Sequence, residues 1–208
     1  IVIRTFAQEQ IERFAKWSSA PVINALTDSF HPAQALADFL ALRERFGSLK
    51  GLRLTYVGDG NNIAHSLMIG GAKLGMEVVV STPEAYRPDP AVAQAAAAIA
   101  RETGGSVVYE ADPYVAVQGA RAVYTDTWVS MGQEAEREVK LKAFAGYQVD
   151  ARLLQAAAPD AVVMHDLPAH KGEEIADDVF EGPQSIIFEQ AENRLHAQKA
   201  LLLALLGN

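Results

Sequence analysis

The stretch from Leu52 to Leu74, LRLTYVGDGNNIAHSLMIGGAKL, constrains the fold more than any other: an apolar strand runs into a glycine-bearing turn and then a helix. Leu52, Leu54, Tyr56 and Val57 make the strand apolar on both faces, the pattern of a parallel strand covered by helices on each side. Gly58 and Gly60 permit backbone angles and close approaches that a Cβ would block. Asn61 or Asn62 can cap the helix that follows, whose free N–H groups favour an anion or a carboxylate. The turn therefore reads as a ligand cradle. It does not complete the dinucleotide fingerprint G-x-G-x-x-G, because Ile63 holds the place of the third glycine. The next strand, Glu77 to Thr82, also ends in Ser81, Thr82 and Pro83 without an acid placed for a ribose. A small, polar, zwitterionic ligand suits the turn better.

The alternation then continues, with strands expected near 52–58, 77–82, 106–111, 122–127, 161–167 and 185–189 and helices near 62–74, 89–103, 133–144, 151–157 and 190–206. Such alternation argues for an α/β fold, a doubly wound parallel sheet of Rossmann-like type flanked by helices. Ahead of it, Ile1 to Phe6 and Pro21 to Thr27 read as strands, and Gln8 to Trp17 and Pro32 to Phe46 as helices. That is a partial first layer, expected to pack less well than the rest, and Gly47-Ser48 is the linker-like spot behind it. A chain that opens on Ile1-Val2-Ile3, inside a strand, reads as a piece of a longer or processed product.

In an open parallel sheet the ligand sits beyond the carboxyl ends of the strands, where the strand order reverses. With the usual order 3-2-1-4-5, the strands at 52–58 and 122–127 flank that reversal. Their ends carry Asp59, Asn61 and Asn62 on one side, and Asp126, Trp128, Ser130 and Met131 on the other. The strand at 161–167 adds His165, Asp166, Leu167 and Pro168. A formal net charge of −8 disfavours a nucleic-acid partner, and no apolar run is long enough to span a membrane. With no cysteine, disulfides and Cys-ligated zinc are excluded, and no His, Asp and Glu cluster has convincing metal spacing. His65 reads as a structural hydrogen-bonder.

Five segments carry a resemblance: FHPAQALAD at Phe30 to Asp38, GDGNNIAHS at Gly58 to Ser66, DTWVSMG at Asp126 to Gly132, HDLPAHKGEE at His165 to Glu174, and ENRLHAQKA at Glu192 to Ala200. In order and spacing they resemble the ornithine carbamoyltransferases, within the aspartate/ornithine carbamoyltransferase superfamily. The resemblance implies transfer of a carbamoyl group from carbamoyl phosphate to the δ-amino group of L-ornithine, giving citrulline and phosphate without metal or organic cofactor. It implies carbamoyl-phosphate contacts from Arg4, His31, Gln34 and Arg194, and ornithine contacts from Asn62, Asp126, Ser130, Met131 and Leu167. Asp166, His31 and Arg194 fall on its catalytic positions, but the family has a cysteine where this chain has Asp166.

The family's Ser-x-Arg-Thr phosphate loop is not found here. The resemblance therefore implies a division into the end of a carbamoyl-phosphate domain and linking helix (1–46), an ornithine-binding domain (47–190) and a returning C-terminal helix (191–208). It further implies a cytoplasmic homo-oligomer of arginine biosynthesis. A rival reading is a non-catalytic amino-acid-binding or oligomer-forming domain, and a third is a carbamoyltransferase for another amine.

Overall fold

A computed structural model describes residues 1–130, 132 and 134–207. The chain opens with β1 (Val2–Arg4), α1 (Gln8–Trp17) and β2 (Ile23–Leu26), and the two strands pair in parallel as a small separate sheet. Next come α2 (Pro32–Phe46), β3 (Arg53–Val57), α3 (Asn62–Lys73) and β4 (Glu77–Ser81), followed by a 3-10 turn at Glu84–Tyr86 and α4 (Pro90–Thr103). The second half runs β5 (Ser106–Tyr109), α5 (Pro113–Ala116), β6 (Ala122–Thr125), a 3-10 turn at Glu134–Glu136, α6 (Arg137–Ala143) and α7 (Ala151–Leu154). It ends with β7 (Val162–His165), α8 (Asp177–Phe180) and the long α9 (Ile187–Leu206).

The main sheet is parallel throughout, in the order β5-β4-β3-β6-β7, the reversal expected from the sequence. Alternate strand residues feed two separate cores, as a sheet covered on both faces requires. Leu54, Tyr56, Ala122, Tyr124, Val162 and Met164 point to the face covered by α2, α3 and α4. Val57, Val123 and Val163 point to the other, among Val117, Val149, Leu153, Ile175 and Phe180. Helix starts carry their expected chemistry: Asp89, Asp112 and Asp150 accept backbone N–H groups of α4, α5 and α7, and Pro32, Pro90 and Pro113 open α2, α4 and α5.

Two expectations need correction. No strand forms at 185–189: Ser185 makes a single bridge to Val163, and Ile187 already begins α9. A short run such as Ile186-Ile187-Phe188 fits a strand or a buried helix start equally well, and here buried Ile187, Gln190, Asn193 and Ala197 show the helical spacing. The loose packing expected of the whole first layer holds only before α2. Phe39 and Leu42 of α2 belong to the main core, and Gly70 of α3 lets α2 cross closely, since a Cβ there would lie 2.3 Å from the Phe39 ring. By contrast α1 buries only Ile11 and exposes Phe14 and Trp17.

Candidate active site

At the carboxyl end of β3 the open question of which asparagine caps α3 has a clear answer. The Asn61 Oδ1 accepts from the N–H groups of Ile63 (3.0 Å) and Ala64 (3.3 Å), which leaves its Nδ2 to donate to Asp126 Oδ2 at 2.7 Å. Asn61 was not among the expected ligand contacts, yet it fixes Asp126, whose Oδ1 also accepts from the Thr127 N–H at 2.6 Å. Asn62 points elsewhere and donates to the Thr27 carbonyl at 2.8 Å, tying the first turn of α3 to the end of β2. Gly60 makes a close approach, but to the chain's own 86–88 segment: a Cβ there would lie 2.4 Å from Pro88 N. The glycine turn is thus partly roofed by protein.

Beyond β7, Asp166 meets Asp126: ligand atoms of Asp126, His165 and Asp166 all lie within 4.8 Å of one another. The Oδ1 of Asp166 is buried with no hydrogen-bond partner. Burial first, and the Asp126 carboxylate second, push the Asp166 carboxyl well above the ordinary carboxylate range. His165 offers no free nitrogen to a cation at this point. Its Nδ1 accepts from the Leu167 N–H (2.9 Å) and its Nε2 faces the fully buried Glu174 (3.1 Å). Leu167 sits at φ 62°, a left-handed conformation that is strained for a leucine and turns the chain at the site. Ser130 is half-buried on the loop after β6, and Met131 lies outside the described residues.

The second cluster forms where α2 and α9 meet. His31 stands at the start of α2, its N–H donating to Ser66 Oγ at 2.7 Å and its side chain buried. Burial, and then the charges of Arg194 and Arg4, lower its pKa to about 4, so the imidazole is neutral at pH 7, and its buried Nδ1 has no partner. Gln34, also buried, accepts from Arg194 Nη1 through its Oε1. His31, Gln34 and Arg194 are therefore neighbours, and exposed Arg4 lies close enough for its charge to act on His31. His65 bridges two loops: its Nδ1 lies 2.9 Å from the Ser29 carbonyl, and its Nε2 accepts from the Asp89 N–H at 2.9 Å.

This arrangement offers a neutral donor or acceptor and cations at one end, and an anchored carboxylate at the other. Donors near His31 suit a polarised carbonyl and an anionic leaving group, while Asp126 suits an ammonium.

Comparison with known proteins shows the family. The family model described as "Aspartate/ornithine carbamoyltransferase, Asp/Orn binding domain" matches residues 50–205. The chain belongs to the aspartate/ornithine carbamoyltransferase family. The model for the carbamoyl-P binding domain matches residues 1–44. The ornithine carbamoyltransferase of Symbiobacterium thermophilum is 58% identical over 207 residues, covering 100% of this chain and 67% of that protein. That of Gloeobacter violaceus is 57% identical, with 100% and 66% covered. Among solved structures, ornithine carbamoyltransferase from Pyrococcus furiosus superimposes with a TM-score of 0.97 at 51% identity, covering 100% of this chain and 66% of that one. The chain thus spans about two thirds of the length of the relatives it matches.

Sequence reasoning missed Asp38, Gln190 and the Asp59–Lys140 pair. Asp38 was within reach, since it follows Gln34 by four residues on one helix face, where side chains meet. Lys140 carried no such signal, because its partner is 81 residues away.

Proposed function

We propose that this chain is the ornithine-binding part, with the end of the carbamoyl-phosphate part, of an ornithine carbamoyltransferase. It moves the carbamoyl group of carbamoyl phosphate to the δ-amine of L-ornithine. The observation that carries this reading is the convergence of an anchored Asp126 with the His31, Gln34 and Arg194 cluster at one end of the sheet. In this reading Arg194 and Arg4 face the phosphate, since a guanidinium donates paired hydrogen bonds to oxyanions. Neutral His31 and Gln34 face the carbamoyl group, while Asp126, Ser130 and Leu167 surround the amino acid, joined by Met131, which lies outside the described residues, and by Asn62 once its amide leaves the Thr27 carbonyl. Asp166 stands beside the reacting amine. The division at 1–46, 47–190 and 191–208, and a cytoplasmic setting, belong to the same proposal.

The test is citrulline formation from carbamoyl phosphate and L-ornithine, with binding of L-ornithine and L-aspartate compared by calorimetry. Saturable binding of ornithine in preference to aspartate is expected, and preference for aspartate would sink the reading. Ornithine binding without any citrulline would instead favour a non-catalytic amino-acid-binding domain, which the carboxylate at 166 also favours.

We further propose self-association. Phe14 and Trp17 on α1, and Leu195, Leu202, Leu203 and Leu206 on α9, leave large apolar side chains exposed, and such surfaces favour burial against a partner. Sedimentation should show species heavier than the 22.4 kDa monomer, and a clean monomer at high concentration would count against it.

A further inference from the structure

Asp38 is fully buried in the middle of the molecule, yet none of the roles given above uses it. Its Oδ1 accepts from Gln34 Nε2 at 2.8 Å and from Gln190 Nε2 at 2.7 Å, and its Oδ2 accepts from the Tyr124 hydroxyl at 3.2 Å. A glutamine amide has one oxygen and one nitrogen, so fixing where the nitrogen points also fixes the oxygen. For Gln34 the oxygen then faces Arg194. For Gln190 it faces the backbone N–H of His165 at 3.0 Å, one residue before Asp166.

We propose that Asp38 is a positioning residue for both halves of the site: its Oδ1 orients Gln34 to hold Arg194 and Gln190 to hold the end of β7. The inference rests on the proposed function only in what Arg194 is held for; the hydrogen-bond wiring stands apart from it. A reversed Gln34 would turn its NH₂ towards the guanidinium, two donors face to face, and release Arg194 Nη1, leaving Arg194 held through Nε and Nη2 by the Gln198 amide oxygen at 2.7 and 2.9 Å. The wiring survives protonation of Asp38. With the proton on Oδ2 and donated to Tyr124, Oδ1 still accepts both amides. Burial does push this carboxyl up to about 7, so both forms occur near neutrality.

The experiment compares this chain with Asp38→Asn and Asp38→Leu. Asparagine reproduces the protonated carboxyl, with Oδ1 accepting both amides and its NH₂ donating to Tyr124, whereas leucine keeps the volume and removes the acceptor. The readouts are the Arg194 guanidinium signals and the His165 backbone amide in nitrogen–proton NMR. The parent and Asp38→Asn should show separate, slowly rotating Arg194 Nη groups and the same His165 amide position. Asp38→Leu should show an averaged Arg194 Nη1 signal, with Nη2 still held by Gln198, and a shifted His165 amide. Titration with inorganic phosphate should be about tenfold weaker in Asp38→Leu than in Asp38→Asn, the scale of one hydrogen bond to a charged group. An averaged Arg194 Nη1 signal in Asp38→Asn, or a slowly rotating one in Asp38→Leu, overturns the proposal. Should Asp38→Leu fail to fold, Asp38→Asn decides alone, by keeping or losing the separation. Phosphate that leaves Arg194 unmoved in the parent would overturn its phosphate role, a different result from loss of the wiring.

Discussion

Replacing Lys140 by methionine is expected to cost the fold about 3–5 kcal/mol, the range for removing one partner of a buried ion pair. Lys140 comes from α6 and is almost wholly buried, with its Nζ 2.5 Å from Asp59 Oδ2 and 5.4 Å from the centre of the Tyr86 ring. Asp59 lies at the carboxyl end of β3, so this pair fastens the segment after β6 to the strand at the centre of the site. Methionine replaces the aliphatic stem and leaves the Asp59 carboxylate buried without its cation. Asp59 already has its pKa raised by burial, against the lowering effect of Lys140, and loss of the cation raises it further. A carboxyl whose folded pKa is raised keeps its proton in the folded state after the unfolded state has released it. Stability then falls as pH rises from the unfolded value through the folded one. The deficit of Lys140→Met should therefore be smallest near pH 4 and grow towards pH 8, as read from urea midpoints. The double variant Lys140→Met with Asp59→Leu should recover much of the loss, because no unpaired charge remains. Equal losses in the single and double variants, flat with pH, would show that packing and not charge sets the cost.

The same pair marks where sequence reading stops. The strand order of the main sheet and the range of α2 could be read because apolar periodicity and turn residues are local signals. The strand ends that form the crevice followed from topology alone, since in a 3-2-1-4-5 sheet β3 and β6 must lie side by side. The failed strand at 185–189 shows the limit of local signals: the apolar run there is as good a helix start as a strand, and β7 stays the edge strand, bridged by Ser185 at Val163 alone. Side-chain wiring is less legible still. Asn61 and Asn62 are neighbours of the same type, and which one caps depends on the position of Asp126, 65 residues away from Asn61. Asp38 reads as an ordinary polar residue of an amphipathic helix until Gln190, 152 residues later, is placed on it.

Asp166→Asn or Asp166→Cys is expected to speed citrulline formation at pH 7 in protein carrying this chain, by about tenfold for each pKa unit by which the bound amine is relieved. The δ-amine must be neutral to attack a carbamoyl carbon. In the resting site Asp126 is held by Asn61 and the Thr127 N–H, and burial and Asp126 both oppose charge on Asp166 and raise its pKa. An incoming ammonium opposes that shift, since a nearby cation favours ionised Asp166. The ligand then lies between two carboxylates, and both raise the amine's pKa. One unit upward costs about 1.4 kcal/mol, or a tenfold loss in the neutral fraction at fixed pH. With Asp166 ionised, the parent should thus bind ornithine well but turn over slowly, with a rate that climbs towards alkaline pH as the bound amine loses its proton. Asparagine cannot ionise, so its bound amine should titrate at least about one unit lower and its rate should level off at lower pH. Cysteine, neutral at pH 7 when buried, should behave likewise. The carbon-13 shift of the ornithine δ-carbon, followed against pH in the bound state, reads the amine pKa without reference to rate. A pH–rate profile at saturating carbamoyl phosphate reads the consequence. A carboxylate acting as general base would give the opposite pattern, fast turnover in the parent at pH 7 and a slower Asp166→Asn. The field effect is expected to prevail, because even a carboxyl raised by burial is a weaker base than the amine whose proton it would have to take.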